Sequence, residues 1–173
     1  MRTNLKLVSL ILVVLLLAGC TSTEIADSFS VAEQALTATA AILQPVNPVL
    51  AAALTIGGTA VKSAYDTYSI YASAAPEDKA TAAGRARTAI NAAQQNLAQI
   101  LAAAKIKNPE LVTYVTAYVA VANTVLTLIY NHLPKTGTAA FMVAPNLPVV
   151  QGAKSANDLK KFFNSQVPPG SQI

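Results

Sequence analysis

Apolar positions recur along most of this chain at alternating intervals of three and four residues, the spacing of one face of an α-helix. The first such stretch places Ile25, Phe29, Ala32, Leu36, Ala40 and Leu43 on one side, with Asp27, Ser30, Gln34 and Thr37 opposite. Thr21 and Glu24 have the spacing of a capping box, which puts the helix start there. Gln44-Pro45-Val46-Asn47-Pro48 ends it, with Asn47 suited to cap the second helix and Pro48 to open it. In that second helix Leu50, Leu54, Gly57, Val61, Ala64, Tyr68 and Tyr71 form the apolar stripe; Thr55, Thr59, Lys62, Asp66, Ser69 and Ser73 face away. Gly57-Gly58 weakens its middle, which suits either close approach of a neighbouring backbone or a hinge.

Pro76, Glu77 and Asp78 open a third helix, their carboxylates matched to the positive end of its dipole. Its inner face is Ala83, Ala86, Ile90, Ala93, Leu97, Leu101 and Ala104, and Lys105 and Lys107 close it. Asn108-Pro109-Glu110 begins a fourth helix that has no charge from Leu111 to Asn131, long enough to register as a membrane span. Its pattern is two-sided: Leu111, Val115, Tyr118, Ala122, Val125 and Ile129 share one face, and Thr113, Thr116, Asn123, Thr124 and Thr127 the other. That favours a bundle helix over one surrounded by lipid, with membrane insertion as the alternative.

Beyond His132 the periodicity stops, and residues 133–154 contain Pro134, Gly137, Pro145, Pro148 and Gly152. Phe141-Met142-Val143 and Leu147-Pro148-Val149-Val150 give this irregular connection apolar clusters that call for a packing surface. Ser155 and Asp158 form a capping box for a short helix over 155–166 with Leu159, Phe162 and Phe163 on one face, and 167–173 reads as a frayed tail. The fold class is therefore all-α: an alanine-rich, antiparallel up-down-up-down four-helix bundle, an irregular segment and a short final helix.

Composition sharpens this reading. The chain has 173 residues, 53% of them hydrophobic but 6% aromatic, so its packing rests on Ala, Val, Leu and Ile. Charged residues make up 12%, about half the usual share, which makes a membrane or partner surface more plausible. The net charge of +4 falls to +2 once Arg2 and Lys6 are set aside with the N-terminal segment, and the remaining cations are scattered, so nucleic acid is not expected as a partner.

Met1 to Lys6 carries two positive charges and is followed by an apolar run, Leu7 to Ala18, broken by Ser9. The run ends in Leu17-Ala18-Gly19-Cys20, and this stretch resembles the lipobox of bacterial lipoprotein precursors. The resemblance covers residues 1–20. It implies a signal peptide over 1–19, cleavage between Gly19 and Cys20, and acylation of Cys20 (palmitate or a similar chain), so that membrane lipid is held through that residue. Two or three acyl chains, at about 0.8 kcal/mol per buried methylene, make a lasting anchor. Thr21 after the cysteine points to the outer membrane, facing the periplasm, in a Gram-negative envelope. Cys20 is the sole cysteine, so no intramolecular disulfide forms.

With Cys20 at the membrane, an up-down-up-down bundle brings Tyr68, Tyr71, Tyr130, His132 and Lys135 to the membrane-facing end, where tyrosine suits headgroups; the alternative is that these tyrosines are core and rim residues. His132 at a helix C-terminus suits the dipole there. Metal-ligand spacing, a Gly-x-Ser-x-Gly elbow and a glycine-rich phosphate loop are all missing, so neither a cofactor nor an enzyme is expected. The expected role is a nonenzymatic interaction or scaffolding one, with an unknown protein or cell-wall partner. The alternatives are a membrane-active, pore-forming lipoprotein whose Thr/Asn face lines a polar path, and a carrier of an apolar ligand.

Overall fold

The computed structural model describes residues 3–104, 109–134 and 147–173, with side chains from Ser22 onward and not at 109 and 110. Four long helices carry the fold: α1 (Thr3–Leu43), α2 (Pro48–Ser73), α3 (Lys79–Ala104) and α4 (Pro109–His132). A short helix, α5 (Ala156–Gln166), and a 3-10 turn, Pro169–Ser171, complete it; no strand occurs among the described residues. The all-α fold class and the four-helix bundle are as the periodicity predicts. Lys105, Lys107, Asn108, Lys135 and the Phe141-Met142-Val143 cluster lie outside the described residues.

Adjacent helices run antiparallel, and cross-helix pairs show it. Phe29 of α1 stacks on Tyr65 of α2, ring centroids 4.2 Å apart and nearly coplanar, and further along α1 Leu36 lies beside Gly58, earlier on α2. Gly57 of α2 sits against Ile100 near the end of α3. On the opposite side Gln94 of α3 bonds Asn123 of α4, while Arg87, earlier on α3, donates to the Pro134 carbonyl just past the end of α4. The helices form a ring in chain order, α2 and α4 approach across its centre, and α5 lies on α1 and α4.

Local sequence explains the boundaries. Asn47 caps α2 by accepting from the Leu50 amide at 3.1 Å, and Pro48 occupies the first turn. Pro76, Glu77 and Asp78 form a turn before α3 instead of its first turn: Asp78 and Lys79 both bond the Ala75 carbonyl, and Asp78 supplies the first helical acceptor. Ser155 and Asp158 make the reciprocal capping box of α5. The amides of Lys154 and Ser155 and the Ser155 hydroxyl all bond the Asp158 carboxylate and hold its pKa below the ordinary value, the Lys154 amide contributing most. At Thr21, where the capping spacing predicts a helix start, α1 runs through unbroken.

All seven predicted inner positions of α3 are buried. In α1 Ile25, Phe29, Ala32 and Leu43 are buried, but Leu36 and Ala40 are half-buried, and a second row, Ser28, Val31, Ala35 and Thr39, is buried as well. The extra row follows from position, because α1 is covered by α2, α4 and α5 together.

The glycine pair in α2 does not break the helix. A Cβ at Gly57 would strike the Ile100 Cδ1, and one at Gly58 would strike Leu36 Cδ2. The close approach is therefore by side chains, where a neighbouring backbone was the expectation. Gly84, exposed in the first half of α3, has nothing within 4 Å of where a Cβ would stand. Gly84→Ala should raise stability by about 0.5–1 kcal/mol through helix propensity, measured as an upward shift of the urea midpoint at constant slope.

α4 is the heart of the core. Every residue from Ala117 to Leu126 is buried, including Asn123 and Thr124 of the supposed outer face. Leu111–His132 is long and apolar enough to cross a membrane by length and composition, and most of it is buried inside the bundle. Protein on every side of residues 117–126 accounts for the lack of charge there. Tyr118 sits within this core, and burial pushes its phenol well above the ordinary value of 10.0. The unfolded chain releases that proton first, so stability is intact below pH 10 and falls as pH rises beyond it. In an alkaline titration one tyrosine should ionise only on unfolding, and Tyr118→Phe should remove that late step from the phenolate absorbance.

The last residues are held in place, contrary to the expected fraying. Asn164 donates from Nδ2 to the Ile173 carbonyl at 3.0 Å and accepts from the Ile173 amide at 2.9 Å. Val167 is buried and Ile173 packs on the core. A two-point amide clamp outweighs the breaking tendency of Pro168-Pro169-Gly170.

Candidate functional site

The end of the bundle nearest Cys20 is built from the start of the described α1 side chains, the α2–α3 turn and the end of α4. Gly19 and Cys20 fall within α1, and their side chains lie outside the described residues. Four of the five residues expected at this end are described. Tyr68 is a core residue, 7% exposed, and burial raises its pKa. Its ring lies 6.2 Å from that of Tyr71 at a tilt of 38°. Tyr71 is half-buried, with the Lys79 ammonium 5.6 Å from its ring centroid, a cation–π distance. Tyr130 is half-buried against the core, and His132 is exposed, its Nδ1 2.7 Å from the Leu128 carbonyl. A carbonyl only accepts, so in this contact the ring proton sits on Nδ1, within the last turn of α4. Tyr68 and Tyr71 thus form a packed pair, and Lys135 lies outside the described residues.

The charge at this end is mixed. Glu24, Asp27, Glu77 and Asp78 are exposed here along with Lys79 and Arg85. Attachment to an anionic bilayer would therefore rest on an anchor, since the carboxylates offset the attraction of the cations.

The middle of the bundle holds a polar arrangement that periodicity does not disclose. Gln94 Nε2 donates to Asn123 Oδ1 at 2.9 Å in a fully buried setting. Asn123 Nδ2 donates in turn to the Pro148 carbonyl at 3.1 Å. One residue along, the Val150 amide donates to Thr124 Oγ1 at 2.9 Å. Residues 147–150 thereby form a strap across the polar face of α4, with Leu147 and Val150 packed on the core. The apolar cluster at Leu147-Pro148-Val149-Val150 was the sequence signal for this packing; its target could not be read. Gln94 Oε1 is buried and has no hydrogen-bond partner, so the network is not fully satisfied.

Three spaces occur among the described residues, one of them about 410 Å³ between Ile70 and Ser73 of α2 and Asp78, Thr81 and Arg85 at the start of α3. A groove of about 490 Å³ runs between Ser30, Glu33, Gln34 and Thr37 of α1 and residues 170–173. A cavity of about 10 Å³ lies among Phe29, Leu36, Gly58, Val61 and Tyr118, room for a water at most. No cluster of metal-ligating side chains occurs among the described residues.

Five large apolar side chains stand well exposed among the described residues: Val46, Val49, Ile56, Ile70 and Val149. Val46 and Val49 flank the α1–α2 turn, at the opposite end of the bundle from Cys20.

Comparison of the chain with known protein families, with characterised proteins and with solved structures finds no match.

Proposed function

We propose that the chain is a lipid-anchored, nonenzymatic interaction or scaffolding protein of the bacterial envelope, tethered through acylated Cys20 and presenting its far end to a protein or cell-wall partner. The observation that carries the reading is the pair Val46 and Val49, 62% and 79% exposed, at the turn farthest from the lipobox. Apolar side chains that large gain by being covered. The strap region is a weaker candidate contact, because Pro148 and Val150 already bond α4. The same bonds weigh against the membrane-active alternative, in which Asn123, Thr124 and Thr127 would line a polar path. A carrier of an apolar ligand would use the α1 groove, which mixes Ser30, Glu33, Gln34 and Thr37 with Ala38, Ala41 and Ile173.

The test is acylation and fractionation in a bacterial host. The chain should incorporate an alkyne-tagged palmitate and travel with the membrane, and Cys20→Ala should lose both properties. Unchanged labelling and membrane retention in Cys20→Ala would remove the anchor from the proposal. With the anchor established, Val46→Asp should diminish co-purification of the partner from native membranes; an unchanged set of partners would move the contact away from this turn.

A further inference from the structure

The pocket of about 410 Å³ between the ends of α2 and α3 has Ile70 and Ser73 on one side and Asp78, Thr81 and Arg85 on the other. Asp78 and Arg85 are seven residues apart, so they share one face of α3 and stand two turns, about 10 Å, from each other. They form no ion pair together, and among the described residues neither charge has another partner. Lys79, the cation next to Asp78 in the chain, is turned to the Tyr71 ring. The pocket therefore has a negative and a positive pole, each open to a ligand.

Two hydroxyls lie between the poles. Thr55, Thr59, Thr67 and Thr88 donate to carbonyls one turn back along their helices. Thr81 makes no such bond, because the residue one turn before it, Glu77, precedes α3; its hydroxyl is free to donate. Ser73 has spent its one proton on the Ser69 and Ile70 carbonyls, at 3.0 and 3.2 Å, and can only accept. With Gly57 beside Ile100, antiparallel α2 and α3 set Ser73 about level with Gly84. The order from the turn inward is then carboxylate, donor, acceptor, guanidinium and, last, the apolar Ile70, 59% exposed.

A peptide with free ends carries the complementary groups in that same order. We infer that this pocket binds a dipeptide: its ammonium on Asp78, its peptide carbonyl and amide on Thr81 and Ser73, its carboxylate on Arg85, and an apolar second side chain against Ile70. Length selects two residues. One spans about 3.5 Å and leaves a pole unreached, whereas three span about 10 Å before either terminal hydrogen bond is added. The site lies at the opposite end of the bundle from Val46 and Val49, so it is separate from the contact proposed there.

NMR titration of the isotope-labelled full-length chain in detergent micelles tests this, with alanyl-valine as the probe. The peptide should move the Ser73, Thr81 and Arg85 amides and saturate in the millimolar range. N-acetyl-alanyl-valine and alanyl-valinamide each lack one terminal charge and should bind about tenfold more weakly, the worth of one charge-assisted hydrogen bond. Asp78→Asn should erase the difference between alanyl-valine and its acetylated form, and Arg85→Gln the difference from the amide. Both side chains are exposed, so neither exchange disturbs the core. Phosphoethanolamine, which has both charges and no peptide group, should also bind more weakly. No saturable shift at these residues, equal binding of the three peptides, or phosphoethanolamine binding as tightly as alanyl-valine overturns the proposal.

Discussion

Phe163→Ala should lower the stability of the chain by about 3–5 kcal/mol, the range for removing a buried aromatic side chain. Phe163 is fully buried, and with Leu159 it is all that α5 buries. An 11-residue helix does not hold in water by its own hydrogen bonds, so α5 persists by packing on α1 and α4. Losing the ring removes most of that hold, and the helix is then expected to come away instead of enclosing a void. Detachment has its own signature: the urea midpoint falls, and so does the slope, because less surface remains to be exposed in the main transition. Phe162→Ala, at a half-buried position on the same helix, should cost clearly less. Equal shifts for the two variants would mean that α5 is not seated by Phe163.

Asn123→Leu should follow, at about 2–4 kcal/mol. The substitution strands Gln94 Nε2 and the Pro148 carbonyl at once, in a site where Gln94 Oε1 already lacks a partner. Each stranded buried group costs about 1–3 kcal/mol, and the leucine recovers part of this by filling the space. The strap should loosen too, so hydrogen exchange at the Val150 amide, which bonds Thr124, should quicken more than exchange in α2. Gln94→Leu combined with Asn123→Leu should cost less than the sum of the two, because no amide is then left unpaired between the helices. Strict additivity, or an Asn123→Leu effect within about 0.5 kcal/mol of zero, would show that the buried amides are not coupled.

What was legible in the sequence follows from what each signal measures. The inner face of α3 could be read residue by residue because a helix with one packed side writes that side into its periodicity. α4 could be read as a helix but not as a buried one: Asn123 and Thr124 looked like an outer face, and what covers them is a strap 25 residues further along the chain. Periodicity records the face a helix turns to its bundle, whereas long-range cover leaves no mark on it. The closing residues were misread for a related reason, since Pro168-Pro169-Gly170 signals a break locally and the clamp from Asn164 to Ile173 acts across nine positions. Tyr68 and Tyr71 lie near one end of α2, and the burial that makes Tyr68 a packing residue depends on its neighbours. The lipobox resemblance behind the Cys20 proposal is a chemical signal independent of the fold.

The strap has a consequence for the order in which the molecule is made. Synthesis delivers all four long helices before Pro148 and Val150 exist, so for an interval α4 has its amide and hydroxyl at mid-helix without their partners, and α1 and α4 lack the cover of α5. A nascent chain in that interval is short of its final cohesion by the terms that Asn123 and Phe163 govern. On the proposed envelope role this delay would keep the bundle pliant while it is threaded, with completion waiting for the closing segment to arrive.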